Sequence, residues 1–170
     1  MFFLKGLRNL FLAFFEKKKI IFFYENSSSE IHLLNLIEKL NKDNFIIITS
    51  DKNINKKNFN FYNFYNNYFL ILFFSFIKDK IVIMTTPDLN NFYLKRSNNN
   101  KYIYIHHSIC STNMIYNENA FDNYDYIFNV GQHHNKEIIE REKTYKIKKK
   151  ILINYGYGKL DYLLNNKSIY

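Results

Sequence analysis

At 170 residues the chain is long enough for one domain with a core of its own and short for a two-domain enzyme, and its 47% hydrophobic content excludes global disorder. A net charge of +9 favours anionic partners such as a phosphorylated polymer, nucleic acid or anionic lipid, while a single cysteine, Cys110, excludes an intrachain disulfide and suits a reducing compartment. Phe, Tyr, Ile, Lys and Asn are all over-used together, so the 19% aromatic content is discounted as a functional signal; with four glycines and one proline, turns must lean on Asn and Asp.

Met1 to Lys19 places Phe3, Leu7, Leu10 and Phe14, with Leu4, Phe11 and Phe15, at helical spacing on one broad apolar face. Lys5, Arg8 and Lys17 to Lys19 supply a basic side and end. The segment is too short and too interrupted to span a bilayer, which needs about 20 apolar residues. No small-residue cleavage site follows it, which argues against a secretory signal. It is read as a helix lying in a membrane interface, with a helix packed on the domain core as the alternative.

Ile20 to Tyr24 is a continuous apolar run of the kind a strand buried on both faces shows. Ser27 and Glu30 form a capping-box pattern that opens a helix through about Asn41, with Leu33, Leu36, Ile37 and Leu40 on one face. Phe45 to Thr49 is the next strand, which completes a βαβ unit with a right-handed crossover. The Asn-rich stretch Lys52 to Asn67 holds a short strand around Phe59 to Phe64, and Tyr68 to Ile77 suits a buried helix. Ile81 to Thr85 is a strand ended by the turn at Pro87. Tyr102 to Ile105 is predicted as a central strand, and Asn113 to Asn123 as a helical or irregular connection. Tyr126 to Val130 is a strand closed by Gly131, followed by a polar helix over Gln132 to Lys143 with Ile138 and Ile139 inward. Ile151 to Asn154 is the last strand. This alternation predicts an α/β fold with a mainly parallel, Rossmann-like sheet and flanking helices over residues 20–164, the helix of residues 1–19 before it and a tail at 165–170.

The most informative stretch is Lys101 to Asn113, KYIYIHHSICSTN. A strand runs directly into His106 and His107, then into a small polar segment. Ligands of open α/β sheets bind outside the carboxyl ends of the strands, and a histidine there is placed to move a proton near neutral pH. Adjacent residues at a strand end point to opposite sides, so one histidine is expected to face the cleft. His133 and His134 open the helix after Gly131 and are read as a rim to the site; His133 and Glu137 at i, i+4 have no HExxH pattern and no third ligand, so no metal is expected. Cys110 is read as a bystander rather than a catalytic thiol. No GxGxxG, P-loop or GxSxG pattern occurs, and neither a dinucleotide nor another cofactor is expected. No RNP, zinc-finger or helix-turn-helix pattern supports a nucleic-acid partner.

The ordered set FFYEN, IIITSD, MTTPDLNNFYLKRS, KYIYIHHSICSTNMIY, AFDNYDYIFNVGQHHNKEI and ILINYGYGKLDYL resembles the CDP-glycerol glycerophosphotransferase family, enzymes of teichoic acid and related capsule polymers. The resemblance covers roughly Ile20 to Leu164 and only the family's amino-terminal, acceptor-side half. It implies a GT-B architecture of two Rossmann-like halves, with the donor half expected from a separate chain or lost by truncation. His107 matches the histidine of the family's His-Gly motif, with Ser108 in the glycine's place. The resemblance implies His107 as general base on a glycerol hydroxyl that attacks the β-phosphorus of CDP-glycerol. It also implies Lys95, Arg96, Ser108 and Ser111 as contacts to a polyanionic glycerol-phosphate acceptor, and a peripheral place at the cytoplasmic face of the cell membrane. The rival expectation is a non-catalytic module that binds acceptor or membrane only.

Overall fold

A computed structural model describes residues 2–56 and 58–165. Seven strands form one sheet in which every pairing is parallel: β1 (Ile20–Tyr24), β2 (Phe45–Thr49), β3 (Phe61–Asn63), β4 (Ile81–Met84), β5 (Lys101–Ile105), β6 (Tyr126–Asn129) and β7 (Ile151–Asn154). Their order is β3-β2-β1-β4-β5-β6-β7. The chain winds outward from β1 to β3, then returns to lay β4 beside β1 and winds the other way. The winding therefore reverses between β1 and β4, the point at which open α/β sheets form their crevice. The fold is α/β and Rossmann-like, and β5 lies inside the sheet between β4 and β6.

Continuous apolar strands form because both faces are covered. In β1, Ile21 and Phe23 enter one core while Phe22 and Tyr24 enter the other, the two-residue period of a strand serving two layers. The first core is closed by α1 (Phe2–Phe14), α3 (Asn67–Phe76) and α5 (Gln132–Tyr145), through residues such as Leu10, Phe73 and Ile138. The second is closed by α2 (Ser29–Ile37) through Leu33 and Ile37, and α6 (Gly158–Asn165) packs against α2. A short helix, α4 (Thr112–Ile115), interrupts the connection from β5 to β6. Residues 166–170 of the expected tail lie outside the described residues.

Three local expectations are corrected. The Ser27–Glu30 capping box does not form: Ser28 precedes α2 without a side-chain cap, Asn26 Oδ1 accepts from Ser28 N at 3.0 Å, and Glu30 is drawn to Lys56. The helix also stops at Ile37 rather than near Asn41. Ile139 is 40% exposed, because only Ile138 falls on the inward side of α5.

The amino-terminal helix α1 packs on the domain and also presents an apolar outer face. Its inward side is Gly6, Leu10 and Ala13. A β-carbon at Gly6 would lie 2.1 Å from the Phe64 carbonyl, so only glycine permits this approach to β3. Leu4, Phe11 and Phe15 point outward at 64–71% exposure, and Tyr68 and Phe76 of the neighbouring α3 are exposed as well. Among the described residues no helix is long and apolar enough to cross a membrane.

Candidate functional site

The carboxyl ends of β1, β4 and β5 converge at the reversal point. β1 delivers Glu25, β4 delivers the buried Thr85 and Thr86, and β5 delivers His106 and His107. His107 is half-buried and sits among hydroxyls. Tyr104 Oη is 3.1 Å from its Nδ1, Tyr116 Oη is 3.4 Å from its Nε2, and the two phenol oxygens are 3.3 Å apart. Burial lowers the His107 pKa; a hydrogen bond to the Thr85 backbone and the charge of Glu25 only partly oppose this. The ring is therefore neutral at pH 7 and able to accept a proton. Burial raises Tyr104 and Tyr116, so both phenols stay protonated, and Tyr104 Oη donates to Tyr116 Oη.

His106 has a different environment. It is 1% exposed, and neither ring nitrogen has a hydrogen-bond partner. Its ring packs edge-on to Tyr104 at 4.9 Å and stacks on His134 at 4.1 Å and 15°. Burial, reinforced by the neighbouring imidazoles, pushes its pKa down to about 2. The expectation that the pair would point to opposite sides is only partly met. β5 ends at Ile105, the alternation lapses, and both rings meet Tyr104 and Tyr116.

The other predicted residues divide between this end of the sheet and the opposite one. Ser108 Oγ accepts from Cys110 N at 3.2 Å and shapes the loop after His107. Ser111 and Thr112 are committed to Glu137, whose Oε2 accepts from Thr112 N at 2.7 Å. Burial alone would raise Glu137, but these hydrogen bonds hold it low. His134 is fully buried, not on a rim, with Nε2 2.8 Å from the Cys110 carbonyl; His133 is the exposed one, 3.1 Å from the Ile109 carbonyl. Cys110 is a free, exposed thiol. Among the described residues, no three His, Cys, Asp or Glu side chains are arranged to hold a metal ion.

Arg96 is not brought to His107. Its guanidinium pairs with Asp125 at 3.0 and 3.1 Å and lies over the Tyr102 ring at 5.1 Å, at the amino ends of β5 and β6. Lys95, beside it in the chain, is exposed. The loop from β4 to β5 must cross the whole sheet to start a parallel strand, and it carries this pair away from the crevice.

Two residues that the sequence reading passed over do reach the site. His32 of α2 places its ring 5.9 Å from that of His107 and 5.6 Å from Tyr157, which stands just before α6. It is 6% exposed, its Nδ1 is unpartnered, and burial pushes its pKa down to about 4, with His107 and Lys159 adding to the fall. The available signal was a titratable residue beside Leu33 on the inward stripe of α2. The contact joins the β1–α2 half of the sheet to the β4–β5 half across the reversal point. It is fixed from below by Gly158, where a β-carbon would lie 3.0 Å from the His32 carbonyl, and by Asn35 Nδ2 donating to Asp161 at 2.7 Å.

No protein-family model, curated protein or solved structure matches this chain. The functional reading therefore rests on the site itself and on the ordered motifs.

Proposed function

We propose that this domain is the acceptor-side half of a glycerophosphotransferase acting on a CDP-glycerol-type donor. The observation that carries the reading is His107: a half-buried, neutral imidazole at the carboxyl end of an inner strand, beside the crevice of a parallel sheet. In the proposed step the terminal hydroxyl of a glycerol-phosphate acceptor gives its proton to His107, and its oxygen attacks the β-phosphorus of the donor. The bond from that phosphorus to the bridging oxygen breaks, and CMP leaves with the electron pair. A second Rossmann-like half holds the nucleotide. Such a step depends mainly on positioning and charge stabilisation. The ordered motifs from FFYEN to ILINYGYGKLDYL support the donor and acceptor class.

The test is mass spectrometry of a glycerol-phosphate primer mixed with CDP-glycerol and this chain, with and without a candidate second half. Primer extended by one glycerol phosphate, and lost with His107→Ala, is the expected result. A primer never extended in any combination refutes the enzymatic reading.

A binding-only module is the second reading. It is favoured by one observation: both His107 nitrogens already lie within reach of tyrosine hydroxyls. It predicts retention of the primer without extension.

The outer face of α1 supports a place at an anionic membrane surface, with exposed Phe and Leu next to Lys5, Arg8 and Lys17 to Lys19. Leu4→Glu with Phe11→Glu changes two side chains that face outward, so folding is retained. Co-sedimentation with phosphatidylglycerol vesicles is expected to fall at least ~10-fold, since each buried apolar side chain contributes about 1.5–3 kcal/mol. Unchanged co-sedimentation refutes the membrane reading.

A further inference from the structure

Three hydrogen bonds join the His107 ring, Tyr104 and Tyr116 in a closed loop. Tyr104 Oη lies 3.1 Å from Nδ1, Tyr116 Oη lies 3.4 Å from Nε2, and Tyr104 Oη donates to Tyr116 Oη at 3.3 Å. A phenol carries one proton, and a neutral imidazole carries one N–H. Tyr104 spends its proton on Tyr116, so toward Nδ1 it can only accept. Nδ1 therefore holds the N–H of the ring, and Nε2 keeps the electron pair, which accepts from Tyr116. With the N–H on Nε2 instead, Tyr104 would have to give its proton to Nδ1, and the bond from Tyr104 to Tyr116 would be lost. Only the Nδ1–H form satisfies all three contacts at once. The two phenols also differ in burial. Tyr104, on β5, is fully buried, whereas Tyr116 is partly exposed and follows the exposed Met114 and Ile115 of α4.

We propose that Tyr104 is a positioning residue: by accepting from Nδ1 it fixes His107 in the Nδ1–H form and leaves the electron pair of Nε2 on the side of Tyr116, where an incoming hydroxyl takes the place of that phenol. This deepens the transferase reading and rests on it. The Tyr116 contact is the longest of the three and lies on the partly exposed side, so it is the one a substrate displaces. As the O–H bond of the substrate breaks, its proton forms a bond to Nε2. Nδ1 keeps its own proton, still donated to Tyr104, and no proton leaves the phenol. A carboxylate at this position would raise the basicity of the ring through its charge. A neutral phenol orients the ring without doing so, in keeping with a His107 pKa below the ordinary value. Burial keeps Tyr104 protonated, so it remains neutral in this role. The Thr85 backbone, which also hydrogen-bonds His107, is the rival orienting group.

The test reads the tautomer of each of the five histidines from the ¹⁵N shifts of the imidazole nitrogens in the full, labelled chain at neutral pH. The His107 signals are assigned by their loss in His107→Ala. A protonated Nδ1 and an unprotonated Nε2 are expected at His107. Tyr104→Phe removes one hydroxyl and is expected to release the ring to the Nε2–H form. Tyr124→Phe is the control: it removes another fully buried phenol, one that donates to the Thr86 carbonyl, and should leave the His107 tautomer as it is. In the reconstituted enzyme Tyr104→Phe is expected to lower kcat about 10-fold at unchanged KM, roughly the worth of one hydrogen bond. An Nε2–H His107 in the wild type overturns the proposal, and so does a tautomer that Tyr104→Phe leaves unmoved, since Thr85 or another group then sets the ring. A tautomer that moves while kcat stays the same also overturns it, because the orientation is then not used. Each of these results leaves the transferase reading standing. A primer that is never extended removes that reading and, with it, the role given to Tyr104, while the tautomer itself is still measured. The wild-type spectrum needs no variant to fold.

Discussion

At the amino ends of β5 and β6, Asp125 accepts from Tyr102 N, from Arg96 Nη2 through both carboxylate oxygens and from Lys148, and Asn100 is tied to Lys80 N and the Ile77 carbonyl. At the carboxyl ends of the same sheet the situation is reversed. The buried side-chain atoms without a hydrogen-bond partner among the described residues are His32 Nδ1, Thr86 Oγ1, Asp88 Oδ1, both His106 nitrogens, Asn129 Oδ1, His134 Nδ1 and Tyr155 Oη, and all belong to this end. An unpaired buried polar group costs about 1–3 kcal/mol. One end therefore maximises stability, while the other keeps hydrogen-bonding capacity open at a cost. Two of these residues, His32 in ring contact and His106 next in the chain, flank His107, where a substrate is proposed to bind.

The largest expected effect lies at the satisfied end. Asp125→Ala removes the carboxylate that Arg96 pairs with, and strands the Tyr102 amide. Breaking a buried pair by removing one partner typically costs about 3–5 kcal/mol, and urea unfolding is expected to show a loss of that order. A loss under ~1 kcal/mol would mean that this end is not the stabilising one.

At the open end the expected loss is of rate, not of fold. His107→Ala in the reconstituted enzyme is expected to lower kcat at least ~10²-fold, the usual contribution of a positioned general base. Its urea midpoint should move far less than that of Asp125→Ala. A His107→Ala chain that unfolds as readily as Asp125→Ala, with full activity per folded molecule, would erase the functional distinction between the two ends.

How much of this contrast the sequence carried depends on whether a signal is local. The strands were legible because a both-faces-buried strand is a continuous apolar run, and IIFFY, FIIIT and IVIM are such runs. His107 was legible because it directly follows such a run. His32 was not, because its partner lies on another strand and only the winding of the sheet brings them together. Arg96 was placed at the wrong end for the same reason: sequence shows that it follows the Pro87 turn, not how far the loop has travelled. His134 was read as a rim residue because it opens the helix after Gly131, and a helix start can face a phosphate. The stack on His106 instead turns the first turn of α5 inward.

A pH titration separates the two ends by window. His106 and His32 have folded pKa values far below the ordinary imidazole value of 6.5, so the folded state resists protons that the unfolded chain accepts. Stability from these groups is complete above pH 6.5 and falls as the pH drops from 6.5 toward about 4 for His32, and further for His106. Asp125 is depressed below its ordinary carboxylate value: burial opposes this, but the Tyr102 amide, Lys148 and Arg96 outweigh it. Its contribution is present above pH 3.8 and fades only below that. Urea unfolding at pH 8, 6.5, 5.5 and 4.5 is expected to lose about 1.4 kcal/mol per pH unit for each such histidine once below 6.5. His106→Leu, which fills the same apolar site without a titratable ring, should flatten that slope by about one proton. An unchanged slope in that variant would show that the acid sensitivity arises elsewhere.

The smallest expected effect is the most direct test of where the acceptor is held. Lys95 and Arg96 are adjacent in the chain and both basic, yet only Arg96 makes contacts that matter for the fold: the Asp125 pair and the Tyr102 ring. Lys95→Gln removes an exposed charge at the end of the sheet remote from His107, and surface changes of that kind usually fall within ±0.5 kcal/mol. Its urea midpoint and its affinity for glycerol 1-phosphate should both match the wild type. Arg96→Gln should lose stability along with Asp125→Ala while keeping that affinity in the molecules that remain folded. The two outcomes together would divide the basic pair into one solvated lysine and one structural arginine. If Lys95→Gln instead weakens binding ~10-fold, the phosphate is being held at the satisfied end, and the division of labour between the two ends of the sheet is wrong.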